Sequence, residues 1–299
     1  MKKVLLFASV CKPKSVLEIT LPSYISLKKD DFEIDFLFYN DNNEEDAKLY
    51  LNEFCEENSN CRKLSKIELN KGDYEDHKWN VSRIDRIIAI KNQAISYAID
   101  HQYDNLFLVD ADLVLNSNTL QHLMHQNQHF IFTIFWTLFF GEIVYKPNAW
   151  DYHSWSYKNA QSILQLAKRG SYKVGGGGAC TLLSREILIK GLSFKRLPSL
   201  AYQGEDRHFC TRAQALGYNV IVDNHYPAYH IFLNEQCEEA KQWYIDGAEP
   251  EFFNKWLDTK WKENVIRSFE KKDNNIIFKL KRFQYEIRKS FKRIFLNDN

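Results

Sequence analysis

The 299-residue chain has no run of 18 apolar residues, so no segment is long enough to cross a bilayer as a helix. The apolar stretch 130–140 falls well short. No charge sign is in excess either. Forty Lys and Arg stand against 39 Asp and Glu, which argues against a general nucleic-acid binder. The six cysteines (Cys11, Cys55, Cys61, Cys180, Cys210, Cys237) are scattered, with no pair spaced as in a zinc knuckle. No Gly-Lys-Ser/Thr follows the glycine-rich stretch, and no Gly-x-Gly-x-x-Gly precedes a helix, so neither standard phosphate loop is present. Lys2-Lys3 followed by the short apolar run Val4–Val10 lacks a small-residue cleavage site. That run reads as a first strand, and the expectation is a cytoplasmic protein with free thiols.

What the sequence does contain is organised around Asn105-Leu106-Phe107-Leu108-Val109-Asp110-Ala111-Asp112. Leu106–Val109 reads as a buried strand of an α/β sheet, and buried carboxylates are costly, so Asp110 and Asp112 mark the sheet's edge. Ligands collect at the carboxyl ends of such strands, and oxygen donors of this kind suit Mg²⁺ or Mn²⁺. A polar loop after a core strand is the plainer alternative. Val4–Val10 and Phe32–Tyr39 are further strands, with Ala8-Ser9 and Asp41 at or beyond their ends. A helix within 16–29 is interrupted by Pro22. Asp41 suits either a ligand ring N–H or the cap of a helix beginning near Glu44. Residues 81–99 form a helix by the spacing of Ile84, Ile87, Ile88, Ile95 and Ile99, and it carries Arg83, Arg86, Lys91 and Asn92.

His122, His125 and His129 are spaced three and four apart, but no carboxylate accompanies them, and they read as surface histidines. Trp136, Trp150 and Trp155 frame a polar, aromatic segment that suits either a sugar-stacking loop or an aromatic mini-core. Gly175–Gly178 permit unusual backbone conformations and close approach by a ligand. Gly204-Glu205-Asp206 opens a helix, where carboxylates gain from the dipole. His230 follows a strand beginning near Asn219.

Taken together, Ala8-Ser9, Asp41, Arg86, Asp110-Ala111-Asp112, the segment 176–185, Gly204-Glu205-Asp206 and His230 resemble the GT-A glycosyltransferases, close to the bacterial inverting family 2. The resemblance covers about residues 3–232. It implies an α/β fold with a Rossmann-like, mostly parallel sheet flanked by helices, a GT-A domain over 1–234 and a helical extension over 235–299. It further implies a nucleotide-sugar donor, UDP-linked, held by Ala8, Ser9, Asp41, Arg86, Lys91, Asp110 and Asp112. Mn²⁺ or Mg²⁺ would be bound by Asp112 and His230 with help from Asp110. Asp206 would be the general base, with Glu205 orienting acceptor hydroxyls. The acceptor side would involve Trp136, Trp150, Trp155, Gly177, Gly178 and His208. Many relatives carry Arg where Lys91 stands, so a bidentate contact is lost here.

Residues 271–299 carry nine Lys or Arg against three Asp or Glu, with apolar residues at three- and four-residue steps. Such a basic amphipathic stretch suits an anionic membrane surface on the inner face, its own domain, or a partner. The implied activity is metal-dependent transfer of a sugar, with inversion, to a saccharide, glycolipid or peptide hydroxyl. The alternatives are a retaining GT-A transferase, a nucleotidyl-sugar transferase, and an inactive sugar-binding scaffold.

Overall fold

A computed structural model describes residues 1–64, 81–152, 157, 159–198, 200 and 204–274, with backbone alone for 271–274. The first half contains β1 (Lys2–Val10), α1 (Lys14–Ile25), β2 (Phe32–Asn40), α2 (Glu45–Glu57), β3 (Cys61–Lys63), α3 (Val81–Asp100), β4 (Asn105–Val109), β5 (Leu113–Val114), α4 (Thr119–His125) and β6 (Phe130–Thr137). After these come β7 (Lys146–Pro147), β8 (Ala149–Trp150), α5 (Ala160–Leu166), β9 (Ser171–Val174), β10 (Gly176–Gly177), β11 (Cys180–Ser184) and α6 (Arg185–Ile189). The chain continues through α7 (Glu205–Ala215), β12 (Val220–His230), α8 (Cys237–Ile245) and α9 (Thr259–Asn274).

The main sheet runs β3-β2-β1-β4-β11-β6-β12-β5. β3, β2, β1 and β4 are mutually parallel, β11 lies antiparallel between β4 and β6, and β12 is parallel to β6. The strands are apolar at successive positions because both faces are covered. Leu5 and Phe7 join Leu106 and Leu108 in the core under α3, whereas Val4, Leu6 and Ala8 join Phe107 and Val109 under α1, α2 and α4. Each such fully buried Leu or Phe contributes about 1.5–3 kcal/mol.

Three boundaries differ from the sequence reading. α1 continues through Pro22, whose carbonyl still accepts from the Ser26 amide. The apolar stretch after Phe130 leaves the sheet at Thr137, and Phe139 and Phe140 are exposed. The stretch 252–269 is broken, with α9 beginning at Thr259. The segment after β12 packs on the same body. Trp243 and Phe253 cluster with Tyr229, and Trp261 meets Trp136 edge-on while donating Nε1–H to the Tyr145 carbonyl. No described helix is long and apolar enough to cross a membrane, and all six cysteines carry free thiols. Trp155, the stretch 65–80 and residues 275–299 lie outside the described residues.

Candidate functional site

The Asp110–Asp112 turn is fixed by its backbone. The Asp110 amide donates to the Ala179 carbonyl at 2.8 Å, and the Ile231 amide to the Asp112 carbonyl at 2.9 Å. From α1, the Tyr24 hydroxyl donates to the Asp110 carbonyl and the Thr20 hydroxyl to the Ala111 carbonyl. The turn is thereby tied to three elements, and its side chains are left to face a cavity of about 1000 Å³. Lys12, Asp110, Asp112, Asn148, Trp150, Gly178, Glu205, Asp206, Arg207 and His230 all line this cavity.

Asp112 and His230 meet as the sequence pattern implies, because β5 pairs with the end of β12 and sets His230 opposite Leu113. His230 Nε2 stands 3.5 Å from Asp112 Oδ2, and its Nδ1 pairs with the Thr137 hydroxyl at 2.7 Å. The Lys12 ammonium stands 2.7 Å from the same Asp112 oxygen. Burial pushes the Asp112 carboxyl up, but Lys12 and His230 outweigh it and hold the group far below the usual carboxylate range. This donor set fits a divalent cation: one carboxylate oxygen and one imidazole nitrogen sit at a separation that a single ion spans, and a positive charge already stands at that oxygen. In the sequence, Lys12 belongs to a loop after strand one that is only weakly basic, which gives no sign of this role. Its closeness to Asp112 arises only when β1 and β4 pair.

In the same cavity, Gly204, whose φ of 107° favours glycine, precedes α7, which presents Glu205 and Asp206 in its first turn. Three carboxylates there surround the buried Lys91 ammonium. Glu205 Oε1 is 2.8 Å away, Asp206 Oδ1 3.6 Å and Asp110 Oδ1 4.0 Å. Burial lifts the Asp206 carboxyl to about 7 against the pull of Lys91, and Glu205 and Asp110 add to the rise. Burial likewise lifts Asp110, to about 6. Burial alone would lower Lys91, but its three acidic neighbours keep it firmly charged.

The remaining expected site residues fall in three groups. Asp41 and Arg86 are brought together but away from the cavity wall, with Arg86 Nε donating to both Asp41 oxygens at 3.0 and 3.1 Å, and its Nη2 donating to the Tyr39 hydroxyl. Both are buried, so Asp41 does not cap α2, and the Arg86 charge is met by a carboxylate instead of standing bare toward a diphosphate. Lys91 is likewise committed to carboxylates, and Glu205 is committed to Lys91, which makes Glu205 a positioning group. Ala8 is fully buried in the sheet, whereas the buried Ser9 hydroxyl has no hydrogen-bond partner among the described residues.

On the acceptor side, Trp150 lines the cavity under the Arg207 guanidinium, 5.6 Å from its ring. Trp136 does not reach it. It is 1% exposed and belongs to the core. His208 is buried too, its Nδ1 accepting from the Leu197 amide at 3.0 Å. Gly177 packs against Phe132 and lies inside the wall.

None of Gly175–Gly178 has a positive φ, so the expected unusual conformations are not why glycines stand there. The reason is steric. A Cβ at Gly176 would lie 2.4 Å from the Trp150 indole, one at Gly177 2.0 Å from the Phe132 ring, and one at Gly178 2.7 Å from Asp206 Oδ2. Asn148 pins this backbone by donating to the Gly178 carbonyl at 2.7 Å. Gly178→Ala is therefore expected to keep the fold but to push the Asp206 carboxyl aside. Misplacement on the ångström scale costs roughly 10²-fold in turnover. Turnover and circular dichroism on this variant check it, and a folded protein with normal turnover would show that the Gly178–Asp206 contact has no part in catalysis.

A profile of the family described as "Glycosyltransferase family 25, N-terminal domain" matches residues 40–202, more than half of the chain. No curated protein is significantly similar in sequence. Among solved structures, A197 from STIV is 14% identical over 78% of this chain and 87% of its own, with a TM-score of 0.41. TarS 1–349 from S. aureus is 13% identical over 89% of this chain and 69% of its own, with a TM-score of 0.44. GalNAc-T7, solved with UDP, GalNAc and Mn²⁺, is 13% identical over 77% of this chain and 44% of its own, with a TM-score of 0.50. The likeness to GalNAc-T7 agrees with the GT-A fold implied by the motifs, while the closer resemblance to family 2 rests on the motifs alone.

Proposed function

The chain belongs to the family described as glycosyltransferase family 25, N-terminal domain, and is a glycosyltransferase; from that premise we propose that it moves a sugar from a UDP-sugar to an acceptor hydroxyl, metal-dependently and with inversion. The observation that carries the reading is the meeting of two unlike groups in one cavity. Asp112 and His230 stand together there as donors that suit a cation, and Asp206, a carboxyl poised near neutral pH, lines the same space.

In this reading Asp112 and His230 hold Mn²⁺ or Mg²⁺, with Asp110 beside them. When bound, the ion neutralises charge on the departing diphosphate. Lys12 adds a second positive charge at the same place. Asp206 takes the proton of the acceptor hydroxyl as the new bond forms, and a base near the working pH suits that task. Lys91 keeps the crowded acids in place without touching the reacting atoms. Asp206 acting as a base and not as a nucleophile gives direct displacement, hence inversion. The basic stretch 271–299 remains part of the proposal as a contact with an anionic, cytoplasm-facing membrane that would bring a lipid-linked acceptor close.

The test is a panel of nucleotide sugars, with UDP-GalNAc first because the GalNAc-T7 structure holds UDP, GalNAc and Mn²⁺. Hydrolysis or transfer should depend on Mn²⁺ and stop with chelator, and NMR should find the product's anomeric configuration opposite to the donor's. Turnover unchanged by chelator would remove the metal from the reading. A retained configuration would remove inversion.

A further inference from the structure

A second group of metal-ligating side chains lies outside the cavity. His122 on α4 faces Asp223 and His225 on β12, and one ligand atom from each of the three falls within 4.8 Å of the others. None of the three lines the donor cavity. On β12, Asp223 is the last residue paired with β6 before an irregularity and His225 lies within it, whereas His230 ends the strand. We propose that His122, Asp223 and His225 bind a divalent first-row metal ion of the zinc class, clamping α4 to β12.

The geometry favours an ion over a plain hydrogen-bonded trio. His225 Nδ1 and His122 Nε2 converge on one oxygen, Asp223 Oδ2, at 2.8 and 3.2 Å. Zinc–ligand bonds of about 2.0–2.1 Å set tetrahedral ligand atoms roughly 3.3 Å apart, close to both of these contacts. The carboxylate is pre-positioned. It is 1% exposed, Ser171 donates to Oδ2 at 2.6 Å from the paired strand β9, and the His225 amide donates to Oδ1 at 2.9 Å. Such outer partners typically orient metal ligands. The two imidazoles are about a quarter exposed, which leaves an entry path.

The Gln126 amide adds a specific point. Its Nε2 stands 3.3 Å from His122 Nε2. His122 Nε2 has a single in-plane lone pair, so it ligates an ion only with the Gln126 N–H turned away from it. With the amide turned over, its oxygen becomes a fourth donor for the ion. Two imidazoles, a carboxylate and an amide oxygen suit Zn²⁺ better than the oxygen-rich sites of Mg²⁺ or Ca²⁺.

The probe is ZnCl₂, titrated calorimetrically into chelator-stripped full-length protein, with Co²⁺ absorption as a second measurement. Wild type and Asp112→Asn should both bind one Zn²⁺ per chain at this site, and the bound ion should raise the melting temperature. His122→Gln and His225→Gln should each weaken that binding by about tenfold or more, since losing a ligand costs at least what losing an outer partner does. The Co²⁺ bands of a nitrogen–oxygen site should fade and the gain in melting temperature should vanish, while UDP binding in Mn²⁺ stays as in wild type. Zinc affinity unchanged in both histidine variants, or no zinc bound by the folded wild type, would overturn the proposal. The Asp112→Asn arm keeps this outcome separate from any failure of the donor-site reading.

Discussion

Asp206→Asn is expected to lower turnover by roughly 10²–10⁴-fold, the scale of a lost proton transfer, while making the protein more heat-stable above pH 7. The two halves have one cause. Burial lifts the Asp206 carboxyl to about 7, against about 4 for a carboxyl in an unfolded chain. Between those values the folded state holds the extra proton, so stability falls as pH rises through the window, and the whole penalty is present above 7. Asn removes it, and Asp206 makes no capping hydrogen bond that the change would cost. The melting difference between variant and wild type should therefore be positive at pH 8 and close at pH 4. Wild-type turnover at saturating donor should rise with pH through about 7 as the base loses its proton. Donor affinity should hardly move, because a group acting only as base contributes in the transition state. A folded Asp206→Asn with near-normal turnover, or one that melts lower at pH 8, would leave Asp206 as an ordinary first-turn acid of α7.

The sheet was legible because its central strands are covered on both faces. Leu106–Val109 and Val4–Val10 are apolar at consecutive positions, and that pattern leaves few other places for them. The two acidic pairs were legible for the converse reason: carboxylates after such runs must lie where the sheet ends. The course of α1 through Pro22 was not legible. The Pro22 carbonyl remains bonded inside the helix and also accepts from the Tyr244 hydroxyl, a residue 222 positions away.

Pairings among polar side chains were the least legible part. Arg86 reads as a phosphate-binding cation until β2 and α3 are brought together, and then it meets Asp41 inside the protein. Lys91 reads as a weakened phosphate contact, yet its neighbours Glu205 and Asp206 come from 114 and 115 positions along the chain. The glycines were seen, but their reason was not, since it lies in Phe132, Trp150 and Asp206 pressing on them from other elements. His122 was set aside for want of a carboxylate, and the carboxylate it meets is 101 residues away. In each case local sequence gives the side chain's chemistry, and only tertiary register gives its partner.

Asp112→Ala should abolish measurable turnover, a loss of about 10³-fold or more if cation stabilisation of the leaving group is worth about 4 kcal/mol. Its effect on binding separates two roles. In one, Asp112 matters only as the partner of Lys12, 2.7 Å away. In the other, it also carries the cation with His230. Under the first role, Mn²⁺ should have no influence on UDP affinity in wild type, Lys12→Met or Asp112→Ala. Under the second, Mn²⁺ tightens UDP binding in wild type and in Lys12→Met but not in Asp112→Ala. A further sign follows from charge. Without metal, the Asp112 carboxylate repels a diphosphate and draws the Lys12 ammonium toward itself, so removing it should strengthen metal-free UDP binding, whereas Lys12→Met should weaken it. Titration of UDP into the three proteins, with Mn²⁺ and with chelator, reads all of these signs. Equal UDP affinity in Mn²⁺ and in chelator for wild type would reduce Asp112 to a structural partner of Lys12.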